Sequence, residues 1–280
     1  MPSVDYTPSW ADFVAGLELY QDAILCGAAA GLVLGYLGVF VVLRRLVFVP
    51  LAVTHAAGFG VALAFFFQLY LGDWVDPMAS ALLFSIASAG ALLVSPRRIT
   101  SESMIGLIYI LAASGAVLLG SRISQEAHEI GAIIFGTAVA VRPADLHATL
   151  VAGALVLGTQ VWTRRGMVFA SFDPDGARVQ RLPVRALDAV LLLSIGLMVA
   201  VATRALGAMP VFAFSVLPAV AALALVRRIS SALTLAAAIG ALCAVVGYVL
   251  SFFLQLPVGA SQTAVAGLLA AIALPLRRRA

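Results

Sequence analysis

Three histidines and thirteen carboxylates are the side chains of this 280-residue chain best suited to hold a metal ion or move a proton. One of them, His55, sits deep in an apolar run, VPLAVTHAAGFGVALAFFF (Val49–Phe67). A neutral imidazole is a good ligand for zinc and other transition metals. The same ring could instead hydrogen-bond a neighbouring helix and serve packing alone. The other two, His128 and His147, flank the apolar piece GAIIFGTAVAV (Gly131–Val141) together with Glu126, Glu129 and Asp145. Two imidazoles and three carboxylates at one mouth could receive a metal ion; a solvated loop would need the same residues. His128-Glu129 lacks the H-E-x-x-H spacing of a zinc protease. Cys26 and Cys243 lie in separate apolar runs and form no C-x-x-C pair, so no disulfide framework or thiolate metal site is indicated.

What is missing excludes other chemistry. All 17 basic residues are arginine. Without lysine there is neither a P-loop G-x-x-x-x-G-K-[ST] nor a Schiff base, so ATP hydrolysis by that route would need another polypeptide. No Ser/His or paired-carboxylate set has the spacing of an intramembrane hydrolase. The chain reads as a non-enzyme, with no permanently bound cofactor.

The elements that must position these groups follow from composition. Hydrophobic residues make up 63% of the chain and charged residues 11%, with a mean hydropathy of +1.09. Soluble domains carry roughly 25% charge; this balance belongs to a protein whose solvent is mostly lipid. Runs long enough to cross a core of about 30 Å occur nine times, near 23–43, 46–70, 79–95, 104–120, 145–163, 187–203, 209–226, 232–254 and 258–276. Gly131–Val141 is too short to span and reads as a re-entrant or interfacial segment. The expected fold is an all-α polytopic membrane helix bundle with about nine transmembrane helices. Residues 1–22 form an acidic N-terminal extracytoplasmic tail without a signal peptide's basic start. Residues 23–276 form the transmembrane domain, with a cytoplasmic loop at about 164–187, and 277–280 form a basic cytoplasmic C-terminus.

Arginine placement orients the bundle. With the N-terminus outside, internal loops hold Arg44, Arg45, Arg97, Arg98, Arg164, Arg165, Arg178, Arg181, Arg185, Arg227, Arg228 and Arg277–Arg279, 14 of the 17. Enrichment of basic residues in cytoplasmic loops is the expected bias. Nine of the thirteen acids fall on the other side, where they would either concentrate cations or simply solvate loops. Within the first span, Gly27, Gly31 and Gly35 recur every fourth residue, a small-residue stripe for close helix approach. The longest inner loop contains Phe-Asp-Pro-Asp-Gly-Ala-Arg (Phe172–Arg178), a turn signal opening a short helix.

Four stretches, in order, resemble the permease subunits of ABC-type zinc and manganese importers. FVVLRRLVFVPLAVTHAAGFGVAL (Phe40–Leu63) is similar to the family's arginine pair followed by Gly-Asp-Ala-x-Ser-His-Ala. IIFGTAVAVRPADL (Ile133–Leu146) is similar to its Leu-Phe-Gly-Asp-x-Leu-x-Val, and SFDPDGARVQRLPV (Ser171–Val184) to its inner-loop Asp-Pro-x-x-Ala. VFAFSVLPAVAALAL (Val211–Leu225) and LSFFLQLPVGASQTAV (Leu250–Val265) are similar to its Leu-Pro-Ala and Leu-Pro-x-Gly elements.

The resemblance implies a permease that works as a dimer, with cytoplasmic ABC ATPase subunits below and an extracytoplasmic substrate-binding protein above. The transported divalent metal would be cargo, with His55 in its path and the outer-mouth set His128, Glu129, Asp145 and His147 receiving it. Asp173, Pro174, Asp175, Ala177 and Arg178 would lie at the ATPase coupling element. The lipid bilayer is an expected partner and nucleic acid is not. Two positions depart from the family pattern: Leu51 stands where an acid precedes the histidine by four residues, and Thr137 where an acid follows Phe-Gly. A non-metal small solute is the alternative cargo.

Overall fold

The computed structural model describes residues 9–72, 75–94, 100–122 and 141–276, and its secondary structure there is helical throughout, without strands. The helices, in order, are α1 (Trp10–Ala15), α2 (Leu17–Leu43), α3 (Val49–Leu71), α4 (Pro77–Leu93), α5 (Ser101–Gly120) and α6 (Pro143–Phe172). There follow α7 (Pro174–Val179), α8 (Val184–Leu206), α9 (Ala208–Leu225), α10 (Ile229–Leu254) and α11 (Val258–Leu276). Eight are long and apolar enough to cross a membrane, and α4, at 17 residues, is a shorter apolar helix. These nine coincide with the nine runs read from the sequence. The segment Gly131–Val141 lies, except for Val141, outside the described residues.

Local chemistry sets the helix ends. The Ser9 hydroxyl accepts from Asp12 N and the Asp12 carboxylate accepts from Ser9 N, a reciprocal cap on α1. Asp76 caps α4 with Pro77 in its first turn, and Thr100 caps α5. Gly72 (φ 86°) and Gly207 (φ 92°) end α3 and α8 in backbone conformations that disfavour a side chain. Pro218, buried inside α9, leaves the Phe214 carbonyl without its usual i+4 donor.

Two ends differ from the sequence reading. α2 starts at Leu17, and residues 10–15, read as tail, form α1. An aromatic cluster holds them there: Trp10 lies 4.6 Å from Phe253, and Phe13 lies 5.1 Å from Phe252. α6 runs to Phe172, about two turns past the expected end of its span, with Arg164 and Arg165 exposed on that extension.

α2 is the most buried long helix and packs on α10, α9, α6 and α8. Its glycine stripe is the contact surface. A Cβ on Gly31 would run into the Gly240 carbonyl of α10, and a Cβ on Gly240 would run into the Gly31 carbonyl. Gly35 meets the Ala236 carbonyl of α10 in the same way, while Gly27 lies against the Gln262 side chain of α11. The expected small-residue stripe is therefore a backbone-to-backbone seam. α3 and α4 join the bundle through similar contacts: Ser80 donates to the Gly60 carbonyl at 2.6 Å, and Ser85 to the Gly196 carbonyl of α8 at 2.6 Å.

Because the atoms facing Gly240 are backbone, they cannot yield by a rotamer change. Gly240→Ala is expected to destabilise the detergent-solubilised protein by about 2 kcal/mol, as overpacking does. Gly158 on α6, where an added Cβ meets nothing within 4 Å, is the control. Gly158→Ala is expected to be neutral or to stabilise by up to about 1 kcal/mol through helix propensity. Thermal unfolding monitored by size-exclusion chromatography separates the two.

Candidate functional site

α3 places His55 about 9 Å along its axis from its first residue, at 1.5 Å per residue. Its Nδ1 lies 3.0 Å from the carbonyl oxygen of Leu51, which also accepts from the Thr54 hydroxyl at 2.7 Å. A carbonyl can only accept, so the neutral imidazole carries its proton on Nδ1 and keeps the Nε2 lone pair. The ring stands edge-on to Tyr109 of α5, with centroids 4.7 Å apart and planes at 70°. α3 and α5 run parallel here, since Phe59 of α3 lies against Gly115 of α5 further along both helices.

The surroundings of this pair are open. Leu51, His55 and Gly58 fall at i, i+4 and i+7, on one helix face. A Cβ built on Gly58 meets nothing within 4 Å, and neither does one on Gly106, a turn before Tyr109. α5 itself is covered along one line only, by way of Ile105, Ala112 and Ala116, while Leu107, Ile110, Leu111, Val117 and Leu118 are exposed. Chemically, the site offers one neutral nitrogen ligand beside a phenol ring. Among the described residues no group of three or more His, Cys, Asp or Glu is placed to hold a metal ion. The described residues therefore form no resident site of three or four protein ligands there, whereas a single imidazole ligand is available.

The second set of sequence candidates lies where α6 starts and α8 ends. The Asp145 carboxylate is 3.4 Å from Arg204 Nε, with both side chains largely buried. His147 is exposed, its Nδ1 2.6 Å from the Pro143 carbonyl. Residues two apart on a helix do not face each other, so Asp145 and His147 point to different sides of α6. His128, Glu129, Glu126 and Thr137 lie outside the described residues.

The third set forms α7, the short helix expected from the Asp-Pro-Asp-Gly turn. The Asp173 carboxylate caps it, accepting from Gly176 N at 2.8 Å, and Pro174 occupies its first turn. A Cβ on Gly176 would press on that carboxylate, so a larger residue there would require the Asp173 side chain to shift. Ala177 is fully buried and ties α7 to the core, whereas Asp175 and Arg178 pair at 2.8 Å on the exposed side, next to the exposed Phe172 and Val179. α7 thus has an anchored face and a free face of mixed charge and apolar character.

Beside α7 lies a cluster that reading the sequence did not assemble. Arg44, at the end of α2, reaches Asp188 on α8 with Nη1 and donates from Nε to Ser171 Oγ on α6 at 2.9 Å. Its Nη2 approaches the Met167 carbonyl at 3.4 Å and the Met167 sulfur at 3.1 Å. Asp188, an acid at a span end otherwise rich in arginine, was the available signal. Nothing local paired it with a residue 144 positions away. Tyr109 likewise carries no local mark that sets it opposite His55.

Nine apolar helices among the described residues, eight of them long enough to cross a membrane, define a multi-span membrane protein. The chain belongs to the ABC 3 transport family, whose model matches residues 16–277. The manganese transport system membrane protein MntC of Halalkalibacterium halodurans is 28% identical over 193 residues, covering 68% of this chain and 64% of that protein. The chelated iron transport system membrane protein YfeD of Yersinia pestis is 27% identical, covering 65% of this chain and 60% of that protein. The aligned part of the chain thus spans a little under two thirds of the length of these relatives. Among solved structures, PsaBC from Streptococcus pneumoniae in complex with Fab superposes with a TM-score of 0.84 at 24% identity, covering 96% of this chain and 98% of that one. That likeness establishes the fold. As a family member with many spans, the chain is a plasma-membrane protein and a transport subunit.

If the open face at His55 is lined by water, Gly58→Cys in membranes is expected to react with a charged, membrane-impermeant maleimide. Cys26 and Cys243 are fully buried and supply no background labelling. A Gly58→Cys protein that stays unlabelled from both sides would place this face against lipid or a second protein.

Proposed function

We propose that this chain is the membrane-spanning permease of an ABC importer whose cargo is a divalent transition metal (manganese, zinc or iron) or a metal complex. The single observation that carries the proposal is His55, its Nδ1 engaged by the Leu51 carbonyl and its Nε2 bound by none of the described residues, on an open helix face within a span. The relatives named for manganese and for chelated iron support the cargo class, and disfavour a non-metal solute.

The ligand set suits passage better than storage. A lone imidazole with Leu51 four residues before it supplies no negative charge to offset a dication. Binding is then weak, and a conducting site must let its ion leave. A complex that brings its own ligands and lowers its net charge would meet a smaller desolvation penalty at this site than a bare ion.

The remaining parts follow the same scheme. The arginine-rich end, where α2 and α6 stop and α8 starts, faces the cytoplasm, so the N-terminus lies outside and the C-terminus inside. The exposed side of α7, with Asp173, Pro174, Asp175, Ala177 and Arg178 forming the element, receives a separate ABC ATPase. A substrate-binding protein docks at the opposite end. Capture there rests on His128, Glu129 and the exposed His147, with Asp145 held by Arg204. The uncovered apolar side of α5 meets a second permease copy.

Two measurements test the scheme. In cells expressing the chain with the ATPase and binding protein of its own genome, His55→Ala is expected to reduce accumulation of manganese, zinc or chelated iron. The loss should exceed the roughly tenfold cost of losing an outer-shell partner in a metal site. Accumulation equal to wild type would remove His55 from the path. For orientation, alkaline phosphatase fused after residue 280 is expected to be inactive and green fluorescent protein at the same place fluorescent. The reverse pair of results would invert the bundle.

A further inference from the structure

We propose that Arg44, Asp188 and Ser171 form a mechanical latch that transmits movement of α7 to α2, making Arg44 a positioning residue for transport. The proposal rests on the assignment of α7 as the ATPase-receiving element. The observation behind it is topological as well as chemical. α7 hangs between the end of α6 and the start of α8, and one guanidinium holds both of those ends to the end of α2. Nη1 binds the Asp188 carboxylate on α8, and Nε donates to Ser171 Oγ on α6 at 2.9 Å. Ser171 in turn donates to the Met167 carbonyl at 2.6 Å, the same carbonyl that Nη2 approaches. The planar fork of arginine makes such a three-way tie possible; a lysine would supply a point charge without the fixed geometry.

The tie is buried on the arginine side and half-open on the carboxylate side. The Arg44 side chain is 10% exposed. An ion pair on the open side of α7, such as Asp175–Arg178, couples little. A charge in a largely desolvated place strongly resists losing its partner. A displacement of α7 must therefore drag α2 along or break the Arg44 contacts. α2 is the helix whose glycine seam meets α10, so a pull on its end reaches the far side of the bundle.

The latch also has room to change state. A cavity of about 300 Å³ opens beside it, with Arg44, Asp188 and Ser101 as its polar lining and Leu46, Leu92 and Leu192 among its apolar walls. Asp188 is 42% exposed, so its carboxylate can exchange the guanidinium for water. Two arginines in left-handed backbone conformations flank the assembly: Arg45 (φ 59°) directly after Arg44, and Arg181 (φ 59°) just past α7. Each is the C′ residue of a Schellman helix end, with Leu46 N bonded back to the Val41 carbonyl and Leu182 N to the Ala177 carbonyl, so the ends of α2 and α7 are themselves firmly closed.

The test uses the complete transporter, permease with its ATPase and binding protein, in lipid nanodiscs with manganese as the probe metal. It measures the factor by which the binding protein stimulates ATP hydrolysis. Arg44→Gln is expected to lower that factor about tenfold, within the usual range of coupling between distant sites, while the ATPase still co-purifies. Because Arg44→Gln strands the Asp188 charge, the double variant Arg44→Met/Asp188→Leu is the companion. Replacing both partners leaves no charge stranded beside the largely buried Arg44 position, and the stimulation factor is expected to fall equally.

A double variant with the wild-type stimulation factor would overturn the latch, as would loss of ATPase co-purification in it, because the cluster would then serve only the shape of the docking element. Asp175→Ala/Arg178→Ala addresses the underlying assignment separately. Loss of ATPase co-purification supports docking on α7. Retained co-purification rejects docking on α7 and with it the latch as a coupling device, whereas a wild-type stimulation factor in Arg44→Met/Asp188→Leu with docking intact rejects the latch alone.

Discussion

The contact between Gly31 and Gly240, backbone against backbone, is the constraint around which the bundle is arranged. In lipid, apolar side chains gain little by leaving a solvent as apolar as themselves, so helices associate through dispersion, polar contacts and close approach of small residues. Gly31, Gly35 and Gly240 let α2 and α10 come close enough for each helix to rest on the other's carbonyls. α9, α6 and α8 then pack around α2, and α3 and α4 attach through hydroxyl-to-carbonyl bonds from Ser80 and Ser85. The result is a stiff centre with a less covered flank. α5 is the least buried of the long apolar helices, with 17% of its most apolar stretch covered inside the chain, against 72% for α2.

That contrast explains where polar chemistry is tolerated. The observed ion pairs lie at helix ends: Arg44 with Asp188, Arg204 with Asp145, and Asp175 with Arg178. Among the described residues a single imidazole, His55 within α3, lies on the flank where α3 and α5 leave space. A carboxylate there would raise affinity for a dication but carry its own desolvation cost whenever the ion is absent. With leucine at position 51, no carboxylate stands on the His55 face one turn before the imidazole. The helix-end pairs differ among themselves: Arg204–Asp145 is largely buried, Arg44–Asp188 is buried on the arginine side only, and both join separate helices, whereas Asp175–Arg178 is local and exposed.

The spans were legible because length and apolarity are properties of contiguous residues. Nine runs were read, and nine helices match them. The Asp-Pro-Asp-Gly signal was legible for the same reason: a cap and a proline within the first turn specify a helix start by themselves. Helix ends were less legible. α6 continues past Arg164 and Arg165 because leaving the apolar layer does not end a helix whose backbone bonds remain intact. α1 and the first turns of α2 are held by rings of Phe252, Phe253 and Tyr248, more than 200 positions away in sequence.

By itself, the sequence determined the membrane setting, the number of spans, the small-residue face of α2 and the imidazole at position 55, since each depends on residues at short, fixed spacings. The tertiary structure decided what those residues meet. It set Tyr109 beside His55 and left Gly58 in open space, committed Asp145 to Arg204, and gathered Arg44, Ser171 and Asp188 at the root of α7. These are contacts between helices, governed by which faces turn toward one another. A helix face can be read from periodicity, but the partner it selects depends on the packing of the whole bundle.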